Sequence, residues 1–210
     1  MQNSYYWSDD WSEEFYIALA KAGFISTTHE TKESLILLPE LQYEYAILDF
    51  HNLHVSKKVQ KLINRQKYEL RINSRFNEVL ENFSTKHKYN WLKGEYSELL
   101  NKLFSSNSLR TDFQLLSVEL ISKEDSSLVA GEVGYIIGKT YTSLSGFSSE
   151  KREHNNSGTL QLVMLANYLH KRDFNFWNLG HPHMEYKKRL GCEIYKRDDF
   201  LKRWKYATSL

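Results

Sequence analysis

Hydrophobic residues recur along this chain with two different spacings, and the change between them organises it. In the first half, helical spacing dominates. Phe15, Ile17, Ala18 and Leu19 follow a Ser8, Asp9, Asp10 cluster and precede Gly23, which predicts a capped helix over residues 11–22. Short apolar runs at 34–38 and 45–50 predict strands, the first stopped by Pro39. Ser56 caps a helix to about residue 66, with Val59, Leu62 and Ile63 on one face and Lys58, Lys61 and Arg65 on another. Residues 68–73 alternate as a strand. Ser74 caps a helix carrying Phe76, Val79, Leu80 and Phe83, and a further helix covers 94–104.

Beyond residue 112 the period falls to two. Residues 113–121, 127–138 and 140–148 read as consecutive antiparallel strands, with turn signals at 124–126 and near Gly138. The run 160–169 is apolar nearly all round and predicts a buried helix. A strand at 174–179, a short helix at 184–190, a strand at 193–195 and a helix at 198–204 complete the chain. The order is α+β: a mixed, largely antiparallel sheet flanked by helices.

Composition excludes some classes. With 41% hydrophobic and 26% charged residues, neither disorder nor a collagen-like repeat fits. The 210 residues make one large domain or two small ones. A single cysteine, Cys192, excludes a disulfide framework and a cysteine-cluster zinc site, and reads as a small buried apolar residue. No apolar run approaches the ~18 residues of a membrane span. The first fourteen residues lack the basic and apolar regions of a signal peptide, so the expected compartment is cytoplasmic.

Charge changes the picture more. The formal net charge of +2 argues against a histone-like binder, but it averages unlike parts. Residues 1–50 hold two basic and nine acidic residues, and residues 51–210 hold 26 and 17. The reversal near 51–56 suggests a small acidic N-terminal domain, 1–56, followed by a larger domain, 57–210. Residues 57–75 hold seven basic residues and one acid. Lys57, Lys58, Lys61 and Arg65, extended by Arg75, form either a phosphate-binding face or an ordinary solvated helix face.

Other residues suggest chemistry. Glu132 stands in a strand between Gly131 and Gly134, where a charge is costly unless it faces a ligand or water. His181 and His183 flank Pro182 just past a strand end. Either histidine could serve as a general base, and both could equally sit in an exposed, proline-stiffened loop. No metal-ligand set has a diagnostic spacing.

The segments FYIALAKAGFIS (15–26), AILDFHNLHVSKKVQKLI (46–63), YELRINSRFNEVLENF (68–83), NWLKGEY (90–96), AGEVGYIIGKTY (130–141), SGFS (145–148) and LGCEIYKRDDFL (190–201) resemble the leucyl/phenylalanyl-tRNA–protein transferase family. The resemblance implies a small N-terminal domain joined to an acetyltransferase-like (GNAT) domain. It implies transfer of an amino acid from aminoacyl-tRNA to a protein N-terminus or small amine, with no cofactor. An aromatic platform for the terminal adenine, at Trp91, and a basic surface for the tRNA backbone are then required. Two blocks depart from the family. Its glutamate before Ser-x-Phe-Ser reads Leu144 here, and its Asp-x-Gln triplet reads Asn178, Leu179, Gly180. The chemistry therefore falls to Asn178, His181, Ser145 and Glu132. Tyr141, Ser143, Leu144, Gly146, Phe147, Gly180 and His183 join Trp91 as candidates to line the substrate cleft. Residues 176–191 also resemble the arginyl-tRNA–protein transferases, which brings in Tyr186 and Lys187. Two alternatives stay open: a GNAT acetyltransferase using acetyl-CoA, disfavoured by the single glycine of the 152–158 turn, and a non-catalytic binder that kept the fold.

Overall fold

A computed structural model describes residues 4–86 and 91–209, with the side chains of 84–86 left out. The polar run before Trp91, residues 84–90, lies outside this description apart from the backbone of 84–86. In chain order the elements are β1 (Ser4–Tyr5), α1 (Glu13–Lys21), β2 (Ile25–Glu30), β3 (Leu35–Leu41), β4 (Glu44–Leu48), α2 (Lys57–Arg65), β5 (Tyr68–Ile72), α3 (Phe76–Lys86), α4 (Glu95–Ser105), β6 (Gln114–Ser122), β7 (Leu128–Ile137), β8 (Thr140–Ser148), α5 (Ser157–His170), β9 (Phe176–Asn178), α6 (Glu185–Leu190), β10 (Glu193–Lys196) and α7 (Arg197–Thr208). The expected α+β order is observed.

The strands form two sheets. The smaller runs β1-β3-β2 and the larger β10-β4-β9-β8-β7-β6-β5. All pairings in the larger sheet are antiparallel except β8 with β9. Helices cover both faces. Phe113, Leu115, Val133 and Tyr135 point into a core shared with α1, α3, α4 and α7. Leu116, Val118, Leu120 and Ala130 point into a second core with α5 and Val59 of α2. β6 and β7 are buried on both faces and largely apolar, with Ser117, Glu119 and Glu132 as buried polar exceptions. The suggested division at residue 56 falls between β4 and α2, while β4 itself lies between β10 and β9 in the larger sheet.

Local chemistry explains the departures from the sequence reading. Pro39 does not stop β3, which continues to Leu41 and pairs Pro39 with Ser26 of β2. The Pro39 carbonyl accepts from the Tyr6 N–H at 3.0 Å, and proline returns no bond on that side, so the cost is confined to the short β1 ladder. The strand β2 was not expected, because ISTTHE is mostly polar and its second half is exposed. Ser56 caps α2 as expected, accepting from the Val59 N–H at 3.3 Å. Among the described residues Ser74 donates rather than accepts. Its hydroxyl and N–H donate to the buried Glu119 side chain, which also takes the Arg75 N–H, so Glu119 supplies acceptors at the start of α3.

Candidate active site

Two breaks in sheet regularity open a cleft. β9 pairs with β8 only from Thr140 and Phe176 as far as Thr142 and Asn178, whereas β8 runs on to Ser148. Past Asn178 the chain follows β4 instead, exchanging bonds between Ala46 and residues 179 and 180. The sheet therefore parts. On the other side of β8 the register with β7 slips: Val133 faces Ser145 but Gly134 faces Ser143, which leaves Leu144 as the extra residue of a bulge. A cleft of 1160 Å³ occupies this place, lined by the start of β2, the end of β3, Trp91, residues 143–162 in part, and residues 179–187 in part.

Glu132 of β7 stands on the wall of this cleft and is only 3% exposed. Its Oε1 accepts from the Ser143 hydroxyl at 2.6 Å and the Tyr141 hydroxyl at 3.0 Å, and its Oε2 from the Gln161 amide at 3.3 Å. Ser143 is itself oriented by the Trp177 indole N–H at 2.8 Å. All these donors are neutral. Burial therefore dominates, and it pushes the Glu132 carboxyl up to about 7. Gly134 makes the arrangement possible. A Cβ there would lie 2.3 Å from the Tyr141 hydroxyl oxygen and 2.4 Å from the Thr142 carbonyl, so only glycine lets Tyr141 lie across β7 to reach Glu132.

Lys187 of α6 lines the same cleft, 4% exposed. Its ammonium donates to the carbonyls of Leu179 and His181, the latter at 2.7 Å. Burial pulls it down to about 8, against the attraction of Glu132. A buried carboxyl and a buried amine thus line one cleft. Glu40 and Gln42, at the end of β3, are also buried and also line the cleft.

The sequence candidates divide. Glu132, Ser143, Leu144, Ser145, Gly146, Phe147, Gly180, His181 and Trp91 all line the cleft. Leu144 is half-buried and packs against the first core. Trp91 is half-buried at 5.3 Å from the Tyr96 ring, edge to face. Tyr141 does not line it. Fully buried beneath, it serves only through its bond to Glu132. Asn178 is likewise buried away from the cleft. Its side-chain oxygen accepts the Gly180 N–H at 2.9 Å and its amide reaches Thr142, holding the turn in which Gly180 adopts φ 71°. His183 is exposed outside the cleft, its ring 5.1 Å from that of His181. Burial pulls the His181 imidazole below its usual value, with further help from His183 and Lys187.

Lys57, Lys58, Lys61 and Arg65 are exposed on α2, and none is ion-paired among the described residues. Arg75 is different: it pairs with Glu78 at 3.2 Å. No group of three or more metal-ligating side chains is found among the described residues. No helix among them is long and apolar enough to cross a membrane. Sequence reasoning passed over Gln161, Glu40 and Gln42, and reached Lys187 only through a weak resemblance. Gln161 carried a usable signal, as a polar residue inside a helix otherwise apolar on nearly every side.

Comparison with known proteins fixes the relationship. The model of the leucyl/phenylalanyl-tRNA protein transferase family matches residues 47–205. The chain belongs to this family. Leucyl/phenylalanyl-tRNA–protein transferases from Maridesulfovibrio salexigens and Lawsonia intracellularis are 27% and 28% identical to it, over 74% and 83% of this chain. The match spans 61% and 68% of those relatives' own lengths. Among solved structures, FemX superposes with a TM-score of 0.53 at 12% identity, covering 87% of this chain and 66% of that one. A GCN5-related glucosamine N-acetyltransferase region of a fungal multi-domain β-N-acetylglucosaminidase gives 0.52 at 13%, covering 90% and 22%. The family member therefore has the expected GNAT-like fold.

Proposed function

We propose that the protein moves an amino acid from aminoacyl-tRNA to a protein N-terminus or another amine, with Glu132 as the proton acceptor. The observation that carries this reading is the buried Glu132 carboxyl on the cleft wall, pushed up to about 7 by burial. A base near neutrality can take a proton from an attacking amine and return it to a leaving alkoxide at working pH. The amine nitrogen attacks the ester carbonyl and a C–N bond forms. The amine proton passes to Glu132, the bond to the ribose oxygen breaks, and Glu132 returns the proton to that oxygen. Lys187 offers positive charge where the carbonyl oxygen becomes an oxyanion. Trp91 at the cleft supports adenine stacking, and the unpaired cations of α2 support a phosphate-binding face read by charge rather than by sequence. The names of the relatives agree with this donor.

The test is transfer of labelled amino acids from a full set of aminoacyl-tRNAs to a peptide amine. Transfer by the parent and its loss in E132Q are expected. No transfer from any aminoacyl-tRNA, or undiminished transfer by E132Q, would overturn the reading. Acetyl-CoA serves as the competing donor, and acetylation of the same peptide in its presence counts against the aminoacyl donor.

A further inference from the structure

The smaller sheet and the residue after it contribute Ile25, Thr27, Glu40 and Gln42 to the cleft, and the last two are buried hydrogen-bonding side chains. Glu40 pairs with Ile25 across the β2–β3 ladder, so the two side chains share a face. Ile25 shows where that face points: a Cβ on Gly180 would lie 3.1 Å from Ile25 Cδ1 and 4.0 Å from the Ser143 carbonyl. Glu40 is thus directed at the gap between β8 and β9, and Gln42 follows just past the end of the same strand. Glu40 is 5% exposed and Gln42 3%, and both line the cleft. Carboxylates and amides are rarely buried at a ligand-sized opening unless something there uses their hydrogen-bonding capacity.

The pair is incomplete in a specific way. The Gln42 amide bonds to the Glu40 carboxylate, so its nitrogen is engaged. Its oxygen, Oε1, is fully buried and has no hydrogen-bond partner among the described residues. The nearby Arg197 guanidinium does not supply one. It donates to the Gln42 backbone carbonyl at 3.3 Å and to the Tyr45 hydroxyl at 2.5 Å. What remains is a carboxyl group, made harder to ionise by burial, beside an orphaned amide oxygen, on two residues that line the cleft. That arrangement asks for a compact cation with several N–H donors.

We infer that Glu40 and Gln42 form a seat for a primary ammonium group, contributed by the smaller sheet to the cleft whose other wall carries Glu132. The inference deepens the proposed transfer, which brings two such groups together: the α-ammonium of the donor's amino acid and the terminal ammonium of the acceptor. The chemistry of recognition is the same for both. The seat also accounts for a cleft shared by two sheets, since an ammonium held from β3 lies across the gap from the base on β7.

Binding without turnover tests this separately from the reaction. The full chain is titrated calorimetrically with two probes: adenosine carrying an amino acid on a non-hydrolysable 3′-amide, and a dipeptide amide. Each is used with its amine free and with it acetylated. At least one free-amine probe should bind, and acetylation should weaken it by about tenfold or more. The acetylation penalty should disappear in E40Q and in Q42L. Q42L keeps an uncharged side chain of similar length, so it reports even if E40Q folds poorly. A penalty confined to the adenosine probe assigns the seat to the donor, and one confined to the dipeptide assigns it to the acceptor. The inference is overturned if neither free-amine probe binds at millimolar concentration, if acetylation costs nothing, or if folded E40Q and Q42L retain the full penalty. Amine-dependent binding without any aminoacyl transfer would overturn the proposed reaction and leave the seat standing.

Discussion

Replacing Glu132 with glutamine should stabilise the protein above neutral pH while it abolishes transfer. The carboxyl is held by Ser143, Tyr141 and Gln161, all neutral, and is buried. Burial lifts it from an ordinary value of 4.5 to about 7. A carboxyl that is harder to ionise in the folded chain than in the unfolded one binds more protons when folded. Stability therefore falls as pH rises from 4.5 through 7. Going from 4.5 to about 7 corresponds to about 3 kcal/mol, present below pH 4.5 and lost above pH 7. In E132Q the side chain cannot ionise, and the Ser143 and Tyr141 hydroxyls can still donate to its oxygen. Gln161 needs only to turn its amide over. The gain over the parent should thus approach 3 kcal/mol at pH 8, less the attraction that Lys187 loses, and vanish near pH 4.5. In a chain of this size each kcal/mol moves Tm by about 2–4 °C. Thermal or urea unfolding of both proteins at several pH values between 4.5 and 8.5 measures the difference. A difference that does not vary with pH, or a variant less stable than the parent at pH 8, would refute a buried carboxylate lifted by desolvation.

Three other outcomes follow from the same geometry. K58A/K61A/R65A should weaken tRNA binding and reduce the slope of log affinity against log salt by about two to three, measured by filter binding at several salt concentrations; an unchanged slope would show a merely solvated face. G134A should destabilise by about 1–3 kcal/mol or more, because its Cβ meets Tyr141 and Thr142, and should break the Tyr141 bond to Glu132. Chemical unfolding checks the stability, and the pH profile of transfer checks the base. Lys187 is held at about 8 against an ordinary 10.5, so the unfolded chain binds more protons in that interval and parent stability should rise with pH across it. K187M should flatten that rise while costing about 1–3 kcal/mol for each of the two carbonyls it leaves, seen in unfolding curves between pH 7.5 and 10.5.

Much of the fold could be read from the chain because strong periodicity and local caps coincided. The strands β6 and β7 largely alternate between two cores, and α2 begins at a serine whose side chain does cap it. What escaped was set by tertiary partners. The polar strand β2 exists because β3 pairs with it over its whole length. Pro39 is tolerated because its missing donor faces a two-residue strand. The charge reversal near residue 51 marked a change of surface, whereas β4, on its acidic side, is held between β9 and β10. A fragment starting at residue 51 would lose that strand, so any comparison of RNA binding belongs on the whole chain. The site was half legible. Glu132 stood out as a charge among glycines, and Leu144, Ser145 and Gly180 do meet at the cleft. Asn178 did not, because its side chain is engaged in holding the Gly180 turn. Glu40, Gln42 and Lys187 carried no local mark, since an exposed acid, amide or lysine looks the same in sequence as one folded inward.

The apolar residue at 144, where the resemblance implies an acid, has a definite place in the fold. Leu144 is the bulged residue of β8, and its side chain packs against the apolar core. A carboxylate fitting the family pattern at that position would require the bulge to present it. In this chain the acid comes instead from β7, at a residue paired with Gly146 only two positions beyond the bulge. Ser143 and Tyr141, on β8 before the bulge, hold it in place. An apolar residue at 144 therefore does not empty the cleft of carboxyl groups. The acid present stands on β7, in a dry place where burial dominates its affinity for protons. A base made that way depends on the packing above it. Changes at Gly134, Gln161 or Trp177, none of which has to touch the substrate, should shift the pH dependence of transfer more than its affinity for tRNA.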